Sequence, residues 1–431
     1  MNYFDLLMAG HAIVLVVALY QLRPCALLLA GNNMLVAHAL SGFERWGRPS
    51  SAWFIPSYVF SEENLGTAAA LMAISLASLV GSSFLSRKNQ ARIGPETPAV
   101  TRWVLAGIGL YLIALLGARS SILTGGYAGG AVVRYNLEIA GGHVLILSLL
   151  VYELARRRLL GNISALRAFL VMLAVALTQY SKGVVGITTG YLIVSAIVMM
   201  PHTGSAKRIT SMARICVLIL AVVSLSSVVR GTRAALHEGG TETVKAFVQG
   251  ALETEDTPEE ERSGGAMAST NASQSAKHML MCITLYDGGI SRAWRSIYDV
   301  VEYTFMPSFL ADYFGWQRSI NAPWELADYF IHGGGINILG ELYWNGGFLC
   351  AFIMILVITF FCFKVDTRYR SSPFWLMMMS QFAPTFLMGY GYGFAQISRG
   401  AINALVVMGA YVIFKGAMGG VPKFWPQAAA R

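Results

Sequence analysis

Charge is scarce in this sequence. Asp, Glu, Lys and Arg together make up 13% of its 431 residues, against 55% apolar ones. A soluble domain carries roughly a quarter charged residues, so the composition excludes an ordinary soluble globule. It equally excludes a disordered chain, which needs few apolar residues and many charges. Cysteine is scarce as well: there are five, an odd number, and Cys25, Cys216, Cys350 and Cys362 lie in or beside apolar stretches. Their spacing gives neither a disulfide framework nor a metal-ligand pattern. The sequence also lacks a paired His–Glu zinc motif, a phosphate-cradling glycine loop and a nucleophile elbow. ATP use and covalent nucleophilic catalysis are therefore not indicated. No internal repeat marks an inverted-repeat transporter. No basic segment leads the first apolar run, where Asp5 stands instead. That run is therefore expected to remain as a span and not to be cleaved as a signal peptide.

Long apolar runs are what the sequence has in abundance. Crossing ~30 Å of hydrocarbon takes about 20 apolar residues in a helix. Eleven runs qualify: Phe4–Leu22, Pro24–Leu40, Leu65–Leu85, Trp103–Leu123, Ala140–Leu154, Leu166–Leu177, Val184–Met200, Ile215–Val229, Ile336–Phe363, Phe374–Phe394 and Ala401–Met418. The first two can alternatively be one span and a re-entrant piece. The expected fold is thus all-α, a polytopic membrane bundle of about 11 helices in one integrated membrane domain. Residues 1–229 form the N-terminal spans, 230–335 a large loop, and 336–431 the C-terminal spans.

The basic residues sort by side. Arg87, Lys88, Arg92 and Arg102 share one short loop, and Arg156, Arg157 and Arg158 the next of that parity. Lys207, Arg208 and Arg214 follow, then Lys364, Arg368 and Arg370, and finally Lys415, Lys423 and Arg431. Cytoplasmic loops carry the excess of Lys and Arg. The N-terminus is therefore expected outside and the C-terminus inside, and much of the net charge of +9 is a topology signal. The long outer loop has two parts. Its stretch Ala251 to Ser275 is acidic, then small and polar, and is expected to be mobile. Its flank from Ile290 to Ile331 is rich in aromatic residues and can fold as short helices on the membrane face.

Positive charges on the outer side oppose the topology signal and need a reason. Near spans these are Arg45, Arg48, Arg119, Arg134, Lys182, Arg230, Arg233, Arg318 and Arg399. Several arginines around one external cavity would suit a phosphate or diphosphate, whose oxygens match the guanidinium fork. The plain alternative is that each snorkels to lipid phosphate. For Lys245, Arg262, Lys277, Arg292 and Arg295 in the long loop, simple solvation is expected.

The ninth run opens with Gly333, Gly334 and Gly335, after which Asn337, Glu341 and Asn345 recur every four residues on one helical face. A carboxylate inside a membrane helix marks function by default, although an interhelical clamp in which Glu341 binds an Arg for packing gives the same pattern. Gly346 and Gly347 then permit close helix contact. Of the seven histidines, His332 stands out because it precedes the glycine run on the outer side. His11 and His38 fall inside apolar spans and are expected to be hydrogen-bonded core groups, and His143 opens the fifth run.

This layout resembles the Wzy-type oligosaccharide repeat-unit polymerases of bacterial O-antigen and exopolysaccharide assembly. The resemblance rests on the basic turn at Arg23–Pro24, the large external loop before the last three spans, and the stretch Gly333 to Gly347. That stretch holds Gly-Glu-Leu-Tyr at 340–343, Asn345 and Gly346–Gly347. Arg399–Gly400 is a second match, and Lys182–Gly183 a third. The family has Arg-Gly where this chain has Lys182, which keeps the charge but loses the bidentate fork. The resemblance implies a GT-C-like glycosyltransferase fold in the bacterial inner membrane, with its active site facing the periplasm. Such enzymes move a growing glycan from undecaprenyl diphosphate to the sugar terminus of another lipid-linked repeat unit, without nucleotide sugar, metal or other cofactor. The implied partners are undecaprenyl-diphosphate-linked glycans, membrane lipid and a chain-length regulator, with no nucleic acid. The implied roles are Glu341, His332 and Arg230 in catalysis, Glu341 orienting an Arg or acting as base. Arg233, Arg399, Lys182, Arg119, Arg134 and Arg318 would hold diphosphate, with Asn337 and Asn345 forming the polar face. O-antigen ligases share the layout, and His332 with Glu341 can be read that way. A flippase of lipid-linked sugars would need comparable polar groups on the cytoplasmic half of the spans, where they are sparse. A purely structural membrane subunit is the remaining alternative.

Overall fold

The computed structural model describes residues 2–48, 54–84, 271–305, 313–317, 322–330 and 335–369, with residue 320 and scattered positions between 375 and 409. Among them all regular structure is helical. The elements are α1 (Tyr3–Gln21), α2 (Pro24–Trp46), a 3-10 turn (Ser57–Phe60), α3 (Glu62–Phe84), α4 (Asn271–Asp287), α5 (Arg295–Phe305), α6 (Ala322–Tyr329) and α7 (Ile338–Arg368). The chain divides into two compact units. The first comprises Met1–Asn89, Pro258–Arg368 and Thr385–Asn403, and holds all eight of these elements. In the second, Met378, Met379, Phe382 and Ala383 are helical and buried.

Among the described residues four helices are long and apolar enough to cross a membrane: Tyr3–Gln21, Pro24–Trp46, Glu62–Ser82 and Ile338–Arg368. They coincide with the first, second, third and ninth apolar runs. The first two runs are two full helices of 19 and 23 residues. The other seven runs fall largely or wholly outside the described residues. Exposure agrees with a lipid environment. Leu6, Ile13, Val16 and Tyr20 of α1 and Leu349, Val357 and Phe360 of α7 are exposed. Apolar stripes of that extent are unfavourable in water.

Local sequence sets the ends. Asn2 accepts from Phe4 N at 2.9 Å and forms a capping box with Asp5 at the start of α1. Leu22, left-handed at φ 59°, ends the helix and turns the chain. Pro24 then opens α2, where a missing N–H costs nothing. The two helices form an antiparallel hairpin, because Asp5 near the start of α1 bonds Ser41 and Arg45 near the end of α2. Asn33 of α2 donates to Ser75 of α3 at 2.8 Å, a buried polar tie between two apolar helices. Arg48, read with Arg45 as an unexplained outer charge, donates to Ile55 O at 3.1 Å.

Helix α4 departs from the expected loop. Residues 271–275, the end of the stretch expected to be mobile, are helical, and Ser273 and Ser275 are buried. From Ala276 through Ile283 every residue is buried, Lys277 and His278 included. The helix runs parallel to the start of α7. Asn337 donates to Ser275 at 2.9 Å, and Tyr343 donates to Asp287 at 2.8 Å. Between them a Cβ on Gly340 would lie 2.7 Å from Met279 Cα. Gly340 is thus the contact that lets the two backbones touch.

Candidate functional site

Helix α7 is broken. Gly346 and Gly347 have non-helical backbone, with Gly347 at φ 65°, a conformation open to glycine at little cost. A side chain there would also strike Tyr286 Oη, 2.6 Å from a built Cβ. The break leaves a short helix, Ile338 to Asn345, ahead of a long apolar one. Interrupted spanning helices persist where protein groups satisfy the freed backbone. Here the segment after α4 does so. Arg292 N donates to Trp344 O at 3.0 Å and Trp294 N to Asn345 O at 3.1 Å. These bonds hold Ala293 and Trp294 left-handed, at φ 45° and 66°. For residues with a Cβ that backbone costs roughly 1–2 kcal/mol each.

The short helix carries the three polar residues that the spacing put on one face, and all three are buried. Asn337 caps it, accepting from Leu339 N at 2.8 Å and Gly340 N at 3.2 Å. Asn345 accepts from Ser296 N at 2.9 Å and donates to Ser296 Oγ at 2.8 Å and to Glu341 O at 2.7 Å. Glu341, 2% exposed, is the hub. Its Oε1 accepts from Ser296 Oγ and lies 3.8 Å from Arg292 Nη1, and its Oε2 accepts from Phe394 N at 2.7 Å. Phe394 stands beside Gly393, at φ 77°, in a helical stretch. A Cβ on Gly393 would fall on the Glu341 carboxylate.

Arg292, expected to be solvated, is 3% exposed. Its guanidinium is bonded on every side. Nε donates to Glu325 at 3.0 Å, Nη1 to Ser296 at 2.6 Å and Nη2 to Asp299 at 2.8 Å. The plane lies over Trp344, 5.4 Å from the ring centroid, in cation–π range. Burial works against its charge, but the carboxylates of Glu341, Asp299 and Glu325 outweigh it and hold the group above the ordinary arginine range. Lys277, also expected to be solvated, is buried, and burial pushes its ammonium below the usual lysine range. Among the described members of that set, Arg295 has a side chain that stays partly open, 43% exposed and 3.8 Å from Glu325. Arg292 was missed because its burial depends on Glu325, Asp299 and Glu341, which only the fold brings around it.

The site therefore joins three of the residues singled out beforehand, Asn337, Glu341 and Asn345, to Arg292, Ser296, Asp299 and Glu325. His332, Arg230, Arg233, Arg399, Lys182, Arg119, Arg134 and Arg318 lie outside the described residues. Among the described residues no cluster of His, Cys, Asp and Glu has the arrangement of a metal site. No family model, curated protein or solved structure matches the chain.

Proposed function

We propose that this chain is a Wzy-type glycosyltransferase that polymerises undecaprenyl-diphosphate-linked repeat units at the periplasmic face of the bacterial inner membrane. The observation that supports it best is the burial of Glu341, within Gly-Glu-Leu-Tyr, at a junction of the long loop and two C-terminal helices. A membrane protein that needed only to pack would gain more from apolar residues there, since a buried ionic group rarely adds net stability. Retaining four ionic groups in one place favours a role in positioning.

In this reading the acceptor sugar hydroxyl attacks the anomeric carbon of the donor glycan. The new glycosidic C–O bond forms as the bond to diphosphate breaks, and undecaprenyl diphosphate leaves with the electron pair. The acceptor proton passes to a base. Both oxygens of Glu341 already accept hydrogen bonds, which favours its orienting role and leaves His332 as the candidate base. Arg230, Arg233, Arg399 and Lys182, with Arg119, Arg134 and Arg318, are the groups proposed to neutralise diphosphate.

Deletion tests the reading. Loss of a polymerase leaves glycans one repeat long on the final acceptor, and an unchanged chain-length ladder would end the proposal. Long glycans stranded on the lipid carrier would mean a ligase instead, and single repeats facing the cytoplasm a flippase. At the site, Glu341→Gln and Arg399→Ala should each abolish elongation while the protein still accumulates. Normal ladders from both would remove these residues from the mechanism.

A further inference from the structure

Helix α5 has the reverse polarity of a helix lying at a water surface. Its polar residues Ser296, Asp299 and Glu302 are buried, while Ile297, Tyr298 and Val301 are 42%, 54% and 50% exposed. At 100° per residue the first three share one face and the second three the other. The inward face is fixed: Asp299 accepts from Arg292 at 2.8 Å, and Glu302 from Trp316 Nε1 at 3.0 Å. The helix cannot roll to hide its apolar face without breaking these bonds. Leaving that face in water would forgo roughly 25 cal/mol for each Å² of apolar surface.

What covers it is indicated by what adjoins it. Trp294, just ahead of α5 and 41% exposed, has Nε1 3.4 Å from a Cβ built on Gly346. Immediately beyond Gly346 begins the exposed apolar stripe of α7, with Phe348 at 43% and Leu349 at 67%. That stripe belongs to a helix long and apolar enough to cross a membrane, and an exposed apolar face on such a helix meets hydrocarbon. Trp294 thus links the start of α5 to the start of that stripe. Arg295, half-exposed at the start of α5, and the Tyr298 hydroxyl supply polar tips suited to headgroup depth.

We propose that α5 lies in the membrane boundary with Ile297, Tyr298 and Val301 inserted among phospholipid acyl chains. Its inner face then forms the wall between lipid and the Arg292–Glu341 cluster. A lipid headgroup beside α5 sits about one helix diameter, ~10 Å, from that cluster. This placement holds whether or not the chain is a polymerase.

The test uses the full-length protein in phosphatidylcholine–phosphatidylglycerol vesicles. Ile297→Cys and Val301→Cys are spin-labelled, and collisions with dissolved oxygen are compared with those of a water-soluble nickel chelate. Leu349→Cys on α7 calibrates a lipid-facing site. Cys25, Cys282, Cys350 and Cys362 are buried, and the unsubstituted chain labelled in parallel gives the background. Oxygen collisions should exceed chelate collisions by about threefold or more at both positions, as for an inserted apolar face. Chelate collisions in excess would mean a water-facing helix, and suppression of both would mean that protein covers it; either result overturns the proposal. Should one variant fail to accumulate, Tyr298→Cys on the same face is read with the same criteria.

Discussion

Helix α7 carries a buried carboxylate near each end, and the two are used differently. Asp366 accepts from Cys25 N and Ala26 N, both at 2.9 Å. Both of its oxygens cap the first turn of α2, where the helix dipole favours an anion. Arg23, also buried, stands at the same turn. Glu341 likewise accepts one backbone N–H from a distant helical stretch, Phe394, but its other oxygen is given to Ser296 beside Arg292. The Asp366 arrangement ties one helix to another. The Glu341 arrangement ties the short half of α7 to the loop after α4, to α5 and to the segment at Gly393. An intramembrane acid is therefore no sign of chemistry by itself. Its partners separate a staple from a hub.

Removing the hub's cation should have the largest effect. Arg292→Met leaves Asp299 and Glu341 buried together without their counter-charge, and breaking such a pair costs about 3–5 kcal/mol. Thermal melting of detergent-purified protein should show a large loss of stability; a change under ~1 kcal/mol would mean that the cluster is not sealed from water. Asp366→Ala comes next, at about 2–3 kcal/mol, because two buried N–H groups lose their acceptor. It should lower stability and leave glycan length per folded molecule unchanged, whereas Glu341→Gln should do the opposite. Equal ladders from the two variants would erase the distinction between staple and hub.

Gly393→Ala should cost about 2 kcal/mol, from its left-handed backbone and from the collision with Glu341. Melting should show that loss, and the variant should share the glycan defect of Glu341→Gln. Ser296→Ala should cost about 1 kcal/mol in the same assay, as a neutral bridge is lost while the ions remain. The smallest effect concerns Lys277. Burial lowers its pKa, so the unfolded chain binds more protons and stability rises with pH through the window just below the ordinary lysine range. Lys277→Met should flatten that alkaline rise in a pH series of melts and add about 1 kcal/mol near neutrality. A rise that persists in the variant would assign it to another group.

Much of the helical framework was legible in the sequence. The runs at Phe4–Leu22, Pro24–Leu40, Leu65–Leu85 and Ile336–Phe363 were found within a few residues at most ends, because a spanning helix must be apolar along its whole length. The ends at Trp46 and Arg368 were placed short, since α2 and α7 run on past their apolar stretches through polar residues, with Glu44, Arg45 and Arg368 exposed. The shared face of Asn337, Glu341 and Asn345 was legible from their spacing. Arg292 was not, because nothing in its own neighbourhood separates a solvated arginine from one surrounded by Glu325, Asp299 and Ser296. Helix α4 was hidden for a related reason. Its apolar run, Met279 to Ile283, is too short to read as a span, and it is buried because α2, α3 and α7 enclose it.

The sequence by itself determined that the first, second, third and ninth apolar runs form helices long and apolar enough to cross a membrane, since that property follows from local hydropathy summed over about 20 residues. It also set the polar face of the short helix through a spacing of four. The tertiary structure alone decided that Gly346 and Gly347 break α7, that α5 turns its polar side inward, and that Glu341 meets Arg292. Those outcomes depend on groups distant in the chain coming within hydrogen-bond reach, and a linear reading carries no information about reach.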